Sequence, residues 1–253
     1  MRIPRIANNI KNFLLDLIFP RFCLGCGKEM ASKQASQICD ACFGKIALNS
    51  GVQCHICGLR NQLGTCRGCR KKTPLKGLFA AGQYKNPILK EMIRQFKYQP
   101  VESLGKPLAE LIIAYIAKEL LIDKLTNSVL VPIPLTLRKK ISRGFNQSEL
   151  IAEEIGKFLN CPVINLLKRK KSTSPQAEIP DWQKRKENIS GAFALEKNPK
   201  ILSTLYPQNY RFLESIVLLV DDVATSGATL EEAATVLRSA GIKEIYGLVA
   251  AKG

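Results

Sequence analysis

The chain lacks any run of 18 uninterrupted apolar residues, which excludes an ordinary transmembrane helix. It has no Gly-x₄-Gly-Lys-[Ser/Thr] loop and no Gly-x-Gly-x-x-Gly turn, so Walker-type and dinucleotide-type phosphate binding are excluded. Histidine occurs once, as His55, and tryptophan once, as Trp182. Acidic residues are scarce as well, 21 against 38 Lys and Arg, for a formal net charge of +17. The remainder is ordinary: 46% hydrophobic and 23% charged residues describe a soluble globular chain, not a disordered one.

The excess charge is localised. Residues 1–76 hold 13 basic and 3 acidic side chains, a net of +10. Residues 138–190 hold 12 and 6, whereas residues 214–253 reverse the balance with 3 and 6. Two zinc ions on eight thiolates would lower +17 only to about +13, a field that favours phosphate-rich partners; a merely soluble lysine-rich surface is the alternative.

The apolar run 13–19 contains Asp16 and lacks a small-residue cleavage site, which argues against a signal peptide. Ile6, Ile10, Phe13, Leu14, Leu17 and Ile18 follow helical spacing. Residues 1–20 therefore read as an amphipathic helix packed on its own protein, with a membrane-surface helix as the alternative.

Eight of the nine cysteines form four Cys-x-x-Cys pairs between residues 23 and 69: Cys23/Cys26, Cys39/Cys42, Cys54/Cys57 and Cys66/Cys69. In each pair a tight turn aims two thiolates at one metal, and two pairs complete a tetrahedral Cys₄ shell. Gly25 and Gly68 lie inside their pairs, where they let backbone N–H groups turn toward the sulfurs. Disulfides would need an oxidising compartment, and no export signal precedes them. The segment 21–76 is also too poor in large apolar residues to fold by burial alone. Zinc, contributing about 10–16 kcal/mol in finger peptides, would supply the difference. Two structural Zn²⁺ are expected, paired sequentially in the simplest arrangement or interleaved. His55, inside a complete pair, reads as a bystander, and Cys161 as a core residue.

From residue 77 the texture becomes α/β. Apolar periodicity predicts helices around 88–96, 108–121 and 150–159, with a buried strand at Val129–Val131. Residues 168–190, polar and interrupted by Pro175 and Pro180, read as a long surface loop or flap. Ile216–Val220 reads as a strand, followed by a helix from about Leu230 to Ala240, a stop at Gly241 and a strand at Ile245–Ala250. Strand, helix, strand in so short a span implies a parallel pair. The predicted organisation is an N-terminal helix (1–20), a cysteine module (21–76) and an α/β domain (77–253).

The run Val217-Leu218-Leu219-Val220-Asp221-Asp222-Val223-Ala224-Thr225-Ser226-Gly227-Ala228-Thr229 carries the chemistry. An apolar strand delivers two carboxylates to the sheet's C-terminal edge, where they suit paired ribose hydroxyls and can approach a metal ion. The small residues behind them let successive N–H groups close around a phosphate. Thr229 and Glu232 fit a capping box that would start the next helix. A plain strand–turn–helix with solvated acids is the alternative.

This run resembles the fingerprint of type I phosphoribosyltransferases. The resemblance implies a parallel sheet with helices on both faces, ribose contacts by Asp221 and Asp222, and 5′-phosphate contacts by Ala224, Thr225, Ser226, Gly227, Ala228 and Thr229. It also implies phosphoribosyl pyrophosphate as ligand, with Mg²⁺ as its companion.

Further runs stand in order before it: Val131-Pro132-Ile133-Pro134, Arg143-Gly144-Phe145-Asn146-Gln147, and Ser174-Pro175-Gln176 with Arg185, Asn188, Gly191, Ala192 and Phe193. With Tyr84, Lys97, Tyr98 and the cysteine module, the whole chain resembles the ComF family of bacterial competence proteins. That likeness implies a cytoplasmic protein that handles incoming single-stranded DNA in natural transformation, alongside other DNA-uptake proteins. It implies no base substrate and leaves phosphoribosyl transfer open.

The residues are compatible with single-strand binding. Arg138, Lys139, Lys140 and Arg143 follow a strand, and Lys168, Arg169, Lys170 and Lys171 are four consecutive cations. Trp182 stands beside Lys184 and Arg185, and Phe145 beside Arg143, as in grooves that combine charge with stacking rings. A solvated basic face is the alternative. Transfer chemistry would need positioning and charge stabilisation more than a nucleophilic side chain, so the lack of a Ser–His or Cys–His pair does not exclude it. No recognisable base-binding segment follows the last strand, which favours binding over catalysis.

Overall fold

A computed structural model describes residues 21–30, 37–61, 64–99, 101–171, 182–196 and 215–253. The expected helix at 1–20 lies outside the described residues. The strands are β1 (Val52–Gln53), β2 (Arg60–Asn61), β3 (Gly77–Gln83), β4 (Val129–Pro132), β5 (Leu167–Arg169), β6 (Phe193–Leu195), β7 (Ile216–Ala224) and β8 (Glu244–Lys252). The helices are α1 (Asp40–Phe43), α2 (Pro87–Tyr98), α3 (Gly105–Lys118), α4 (Ile122–Leu125), α5 (Leu137–Arg143), α6 (Gln147–Leu159), α7 (Trp182–Ile189) and α8 (Ala228–Ser239). None of the described helices is long and apolar enough to cross a membrane.

One sheet runs in the order β2-β1-β3-β8-β7-β4. Its four longer strands are parallel, and β1 and β2 extend it antiparallel at one edge. β7 reads as a buried parallel strand because Val217 to Val220 are apolar on both faces. Leu218 and Val220 join one core with α2, α3 and α6, while Val217 and Leu219 join the other with α8. Helices thus cover both faces of an α/β sheet.

Helix α2 forms where Asn86 caps Ile88 and Leu89 through their N–H groups and Pro87 pre-sets the first turn. Its buried stripe, Leu89, Met92, Ile93 and Phe96, follows the 3.6-residue period. Each such side chain contributes about 1.5–3 kcal/mol on full burial. The stripe holds Lys97 and Tyr98 at the C-terminal end of the helix. Asn146 caps α6 by accepting from Ser148 N–H, and its own amide donates to the Ile133 carbonyl just after β4. The first turn of α6 is therefore anchored beside the end of β4.

The structure corrects three sequence expectations. Strand β7 does not end at Val220: Asp221, Val223 and Ala224 pair with Val249, Ala251 and Lys252 of β8. The Thr229/Glu232 capping box does not form, because α8 starts at Ala228 with Gly227 as N-cap. Glu232 instead accepts from Gly191 N–H at 2.7 Å. Residues 168–190 are not one loop either, since β5 pairs antiparallel with β6 and α7 lies between them. Strand β3 and helix α5 also form, without a signal in the apolar periodicity.

Candidate functional site

The eight paired cysteines gather into two groups, Cys23, Cys26, Cys39, Cys42 and Cys54, Cys57, Cys66, Cys69. Within each group the four sulfurs lie within 4.8 Å of one another, which makes the pairing sequential. Cys23 and Cys39 sulfurs are 3.6 Å apart, as are those of Cys57 and Cys66. Zn–S bonds of about 2.3 Å in a tetrahedron place sulfurs about 3.8 Å apart, so the donor sets fit two zinc ions.

The electrostatics agree. Burial opposes ionisation of Cys23, but backbone N–H groups of Cys39, Cys26 and Gly25 lower its pKa to about 6. Burial likewise opposes ionisation of Cys54, and N–H groups of Cys57, Cys66 and Ile56 bring it to about 6. Cys42 is pushed to about 12 by burial and by the neighbouring sulfurs, and Cys69 to about 12 by hydrogen bonding with Cys66 and by burial. Four thiols in one shell compete for protons, and a divalent cation resolves the competition by holding all four as thiolates. His55 belongs to neither group. Cys161 is buried in the core, its thiol directed at the Leu125 carbonyl.

The second site is a cavity of about 160 Å³ at the C-terminal ends of β4 and β7. The chain leaves β4 toward α6 on one face and β7 toward α8 on the other. This crevice is the switch point at which open α/β sheets bind ligands. Asp221 to Leu230 form one wall; Lys97, Tyr98, Lys139, Arg143, Gln147, Ser148 and Arg169 are also part of the lining.

Asp222 is buried, its Oδ1 2.8 Å from Lys97 Nζ. Its Oδ2 has no partner among the described residues. Asp221 Oδ1 accepts from Ser148 Oγ at 3.0 Å and from Asp222 N–H at 2.9 Å. Burial, reinforced by the Asp222 charge, raises Asp221 to about 6. Burial alone would depress Lys97, but the charges of Asp222 and Asp221 outweigh it and hold the ammonium above its ordinary range.

The wall continues into a loop with Gly227 at φ +79, a left-handed conformation suited to glycine. The N–H groups of Thr225, Ser226 and Gly227 donate to no backbone or side-chain acceptor among the described residues, whereas Ala228 N–H reaches Ser226 Oγ at 3.4 Å. Lys252 Nζ donates to the carbonyls of Thr225 and Gly253, and Gly253 N–H to Ala224. The Ala224 and Thr225 carbonyls are thereby engaged by residues that are not part of the cavity lining. Three undirected N–H donors before a helix N-terminus are suited to an anion.

The basic residues singled out for single-strand binding divide. Lys139 and Arg143, one helical turn apart on α5, line the cavity, while Arg138 and Lys140 are exposed outside its lining. Arg143 donates to Gln147 Oε1 at 3.0 Å, and its guanidinium stands 5.9 Å from the Tyr98 ring. Arg169 on β5 lines the cavity 5.3 Å from the Phe193 ring, and burial lowers its pKa. Lys168 is half-buried; Lys170 and Lys171 are exposed. Trp182 starts α7, with Lys184 exposed and Arg185 half-buried in the same helix. Phe145 is not an open stacking ring: it packs on Phe96 with centroids 5.4 Å apart, and Tyr98, 66% exposed, is the ring at the cavity. Ser148 and Lys252 carried no sequence signal, because their roles depend on neighbours 73 and 27 residues away.

Comparison with known proteins agrees with this architecture. Residues 14–70 match the double zinc ribbon domain. The chain is 32% identical to competence protein F of Haemophilus influenzae over 222 residues, covering 85% of this chain and 90% of that protein. It is 27% identical to DNA utilization protein YhgH of Escherichia coli K12, covering 87% and 92%, and 28% identical to competence protein ComFC of Bacillus subtilis, covering 83% and 81%. An α/β sheet behind two Cys₄ centres, matched over nearly the full length of such relatives, places the chain in the ComF family of competence proteins.

Proposed function

We propose that the protein handles incoming single-stranded DNA during natural transformation and binds a phosphorylated pentose, of phosphoribosyl pyrophosphate type, in the cavity beside β7. The names of its relatives, competence protein and DNA utilization protein, support the first part. One observation carries the second: Asp222, with a buried carboxylate oxygen that has no partner, lines the same cavity as Thr225 to Gly227, whose three N–H groups have no acceptor among the described residues. A pentose phosphate would satisfy both ends, its hydroxyls donating to Asp221 and Asp222 and its phosphate accepting from the loop. Lys97, Lys139, Arg143 and Arg169 outnumber the two carboxylates there, leaving positive charge for further phosphate. Mg²⁺ would accompany a pyrophosphate, with the carboxylate pair beside it. The strand itself would run over Lys168, Lys170 and Lys171 and the Trp182 end of α7.

The test is ligand-dependent stability. Ribose 5-phosphate, or phosphoribosyl pyrophosphate with Mg²⁺, should raise the melting temperature, since a ligand of the native state shifts the folding equilibrium. No shift at millimolar ligand refutes the pocket reading.

A second reading is phosphoribosyl transfer, favoured by Asp221. A carboxylate raised to about 6 is a proton acceptor close to working pH, as general bases are. Pyrophosphate release with a panel of acceptors decides between binding and transfer.

A further inference from the structure

We infer that His55 makes the second cysteine cluster a support for the phosphate loop, so that metal held by Cys54, Cys57, Cys66 and Cys69 and a sugar phosphate held at residues 225–229 bind cooperatively. The inference rests on the pocket reading above for its ligand, not for its geometry. His55 lies in the turn between Cys54 and Cys57, so metal coordination fixes the position of its backbone. Its side chain is 1% exposed. It does not point at its own cluster's solvent side but across to the loop: a Cβ on Gly227 would sit 3.2 Å from His55 Cδ2. Imidazole and loop backbone are therefore in direct contact, with no side chain between them.

The polar edge of the ring reaches the helix behind the loop. Nε2 lies 3.2 Å from Thr73 Oγ1 and 3.6 Å from Glu231 Oε2. Glu231 is one turn into α8, and its N–H donates to the Gly227 carbonyl at 2.9 Å. Thr73 is joined to Cys69 by the single turn Arg70–Lys72, and its hydroxyl accepts from Leu75 N–H. Both halves of the cluster thus meet at His55, the Cys54/Cys57 half through the turn that carries it and the Cys66/Cys69 half through Thr73, and His55 passes the contact on to Glu231. Among the described residues the first cluster has no such contact: Cys23 and Cys42 pack into the core on the opposite face of the sheet.

Releasing metal from the second cluster frees the turn that carries His55 and removes the wall behind Gly227. The three N–H groups then lose the fixed direction that makes them an anion site. Linkage is reciprocal, so a bound sugar phosphate must slow metal loss from that cluster by the factor by which metal raises ligand affinity.

The experiment uses the full-length, zinc-loaded protein. Zinc transfer to a coloured chelator is followed with and without ribose 5-phosphate. Two phases are expected, and the sugar phosphate should slow one of them. Amide hydrogen exchange is measured in parallel over residues 224–231 in wild type, His55→Ala, His55→Gln and Glu231→Gln. Glu231→Gln leaves the cluster untouched, so it answers the question even if His55→Ala folds poorly. Zinc content should remain at wild-type level in His55→Gln and Glu231→Gln, while exchange over 224–231 speeds up. His55→Ala should weaken sugar-phosphate binding about tenfold, within the usual range of allosteric coupling, and His55→Gln, which keeps a donor, should recover part of it. Faster exchange without any ligand binding in wild type would sink the pocket reading and leave the support in place. Exchange unchanged in all three variants, or equal slowing of both zinc phases, overturns the inference.

Discussion

Asp221→Asn should stabilise the ligand-free protein while destroying the ligand site. Asp221 moves from an ordinary 3.8 to about 6 because burial and the adjacent Asp222 disfavour its charge. The native state therefore holds this proton more tightly than the unfolded chain, and stability falls as pH climbs between those two values. At about 1.4 kcal/mol per pH unit, ionising Asp221 costs the fold about 3 kcal/mol at pH 7.5 and about half of that at pH 5. Asparagine removes that cost and keeps the geometry, since its Oδ1 can accept from Ser148 Oγ and Asp222 N–H as the carboxylate does. Its amide can also donate toward Asp222, whose Oδ2 lacks a partner. For a chain of this length about 1 kcal/mol corresponds to about 2–4 °C, so a gain of about 6–12 °C is expected at pH 7.5. Thermal melts of both proteins from pH 4 to pH 7.5 measure it. The gain must shrink steadily toward pH 4, and the variant must show no stabilisation by ribose 5-phosphate. A gain that does not vary with pH, or a loss at pH 7.5, would refute the claim that buried charge is held here against the fold's interest.

Protein purified without added zinc should contain about two zinc equivalents, and chelation should unfold the cysteine module; zero equivalents with oxidised cysteines would overturn the metal assignment. Gly227→Val should abolish ligand-induced stabilisation, because a side chain at φ +79 is strained and its Cβ meets the His55 ring; a retained shift in calorimetry would contradict it. Single-stranded DNA binding that neutralises about five phosphates should give a log affinity versus log salt slope of about −3.5. Replacing Lys168, Lys170 and Lys171 by alanine should flatten that slope by about 2, whereas Trp182→Ala should cost about 1–3 kcal/mol at every salt concentration if its ring stacks on a base. Undetectable binding at low salt removes DNA as the partner of this face.

The parts that were legible in the sequence are contiguous ones. Cys-x-x-Cys spacing is a local property of a turn, so all eight ligands could be read before their partners were known. The loop from Asp221 to Thr229 is likewise one segment, whose small residues and paired acids are meaningful in order. What could not be read required neighbours brought from elsewhere. Strand β3 is a short run of Leu78, Phe79, Ala80 and Ala81 between glycines, too small in side chain to announce a central strand, yet it pairs with both β1 and β8. The extension of β7 through Asp221 and Asp222 contradicts local propensity, since acids are poor strand formers. Pairing with β8 overrides that preference, and the result is a carboxylate pair held rigidly on a strand instead of a loop.

Rigid placement explains why the cysteine module and the α/β sheet stand in one structure. β1 and β2 come from the segment that carries the metal ligands, and they continue the main sheet through Gln53 paired with Leu78. Cys54 follows β1 directly, so the second cluster begins where the sheet's edge strand ends. A sheet transmits position without slack, because its register fixes each strand against the next. From β1 through β3 and β8 to β7, the metal ligands and the Asp221/Asp222 pair are therefore held in a common frame. His55 closes that frame on its other side, from Cys54 and Cys57 to Gly227 and Glu231. A loop of small residues gains close approach to a phosphate but has few side chains of its own to hold its shape. Here the shape is imposed from behind, by a ring whose place is set by the cluster.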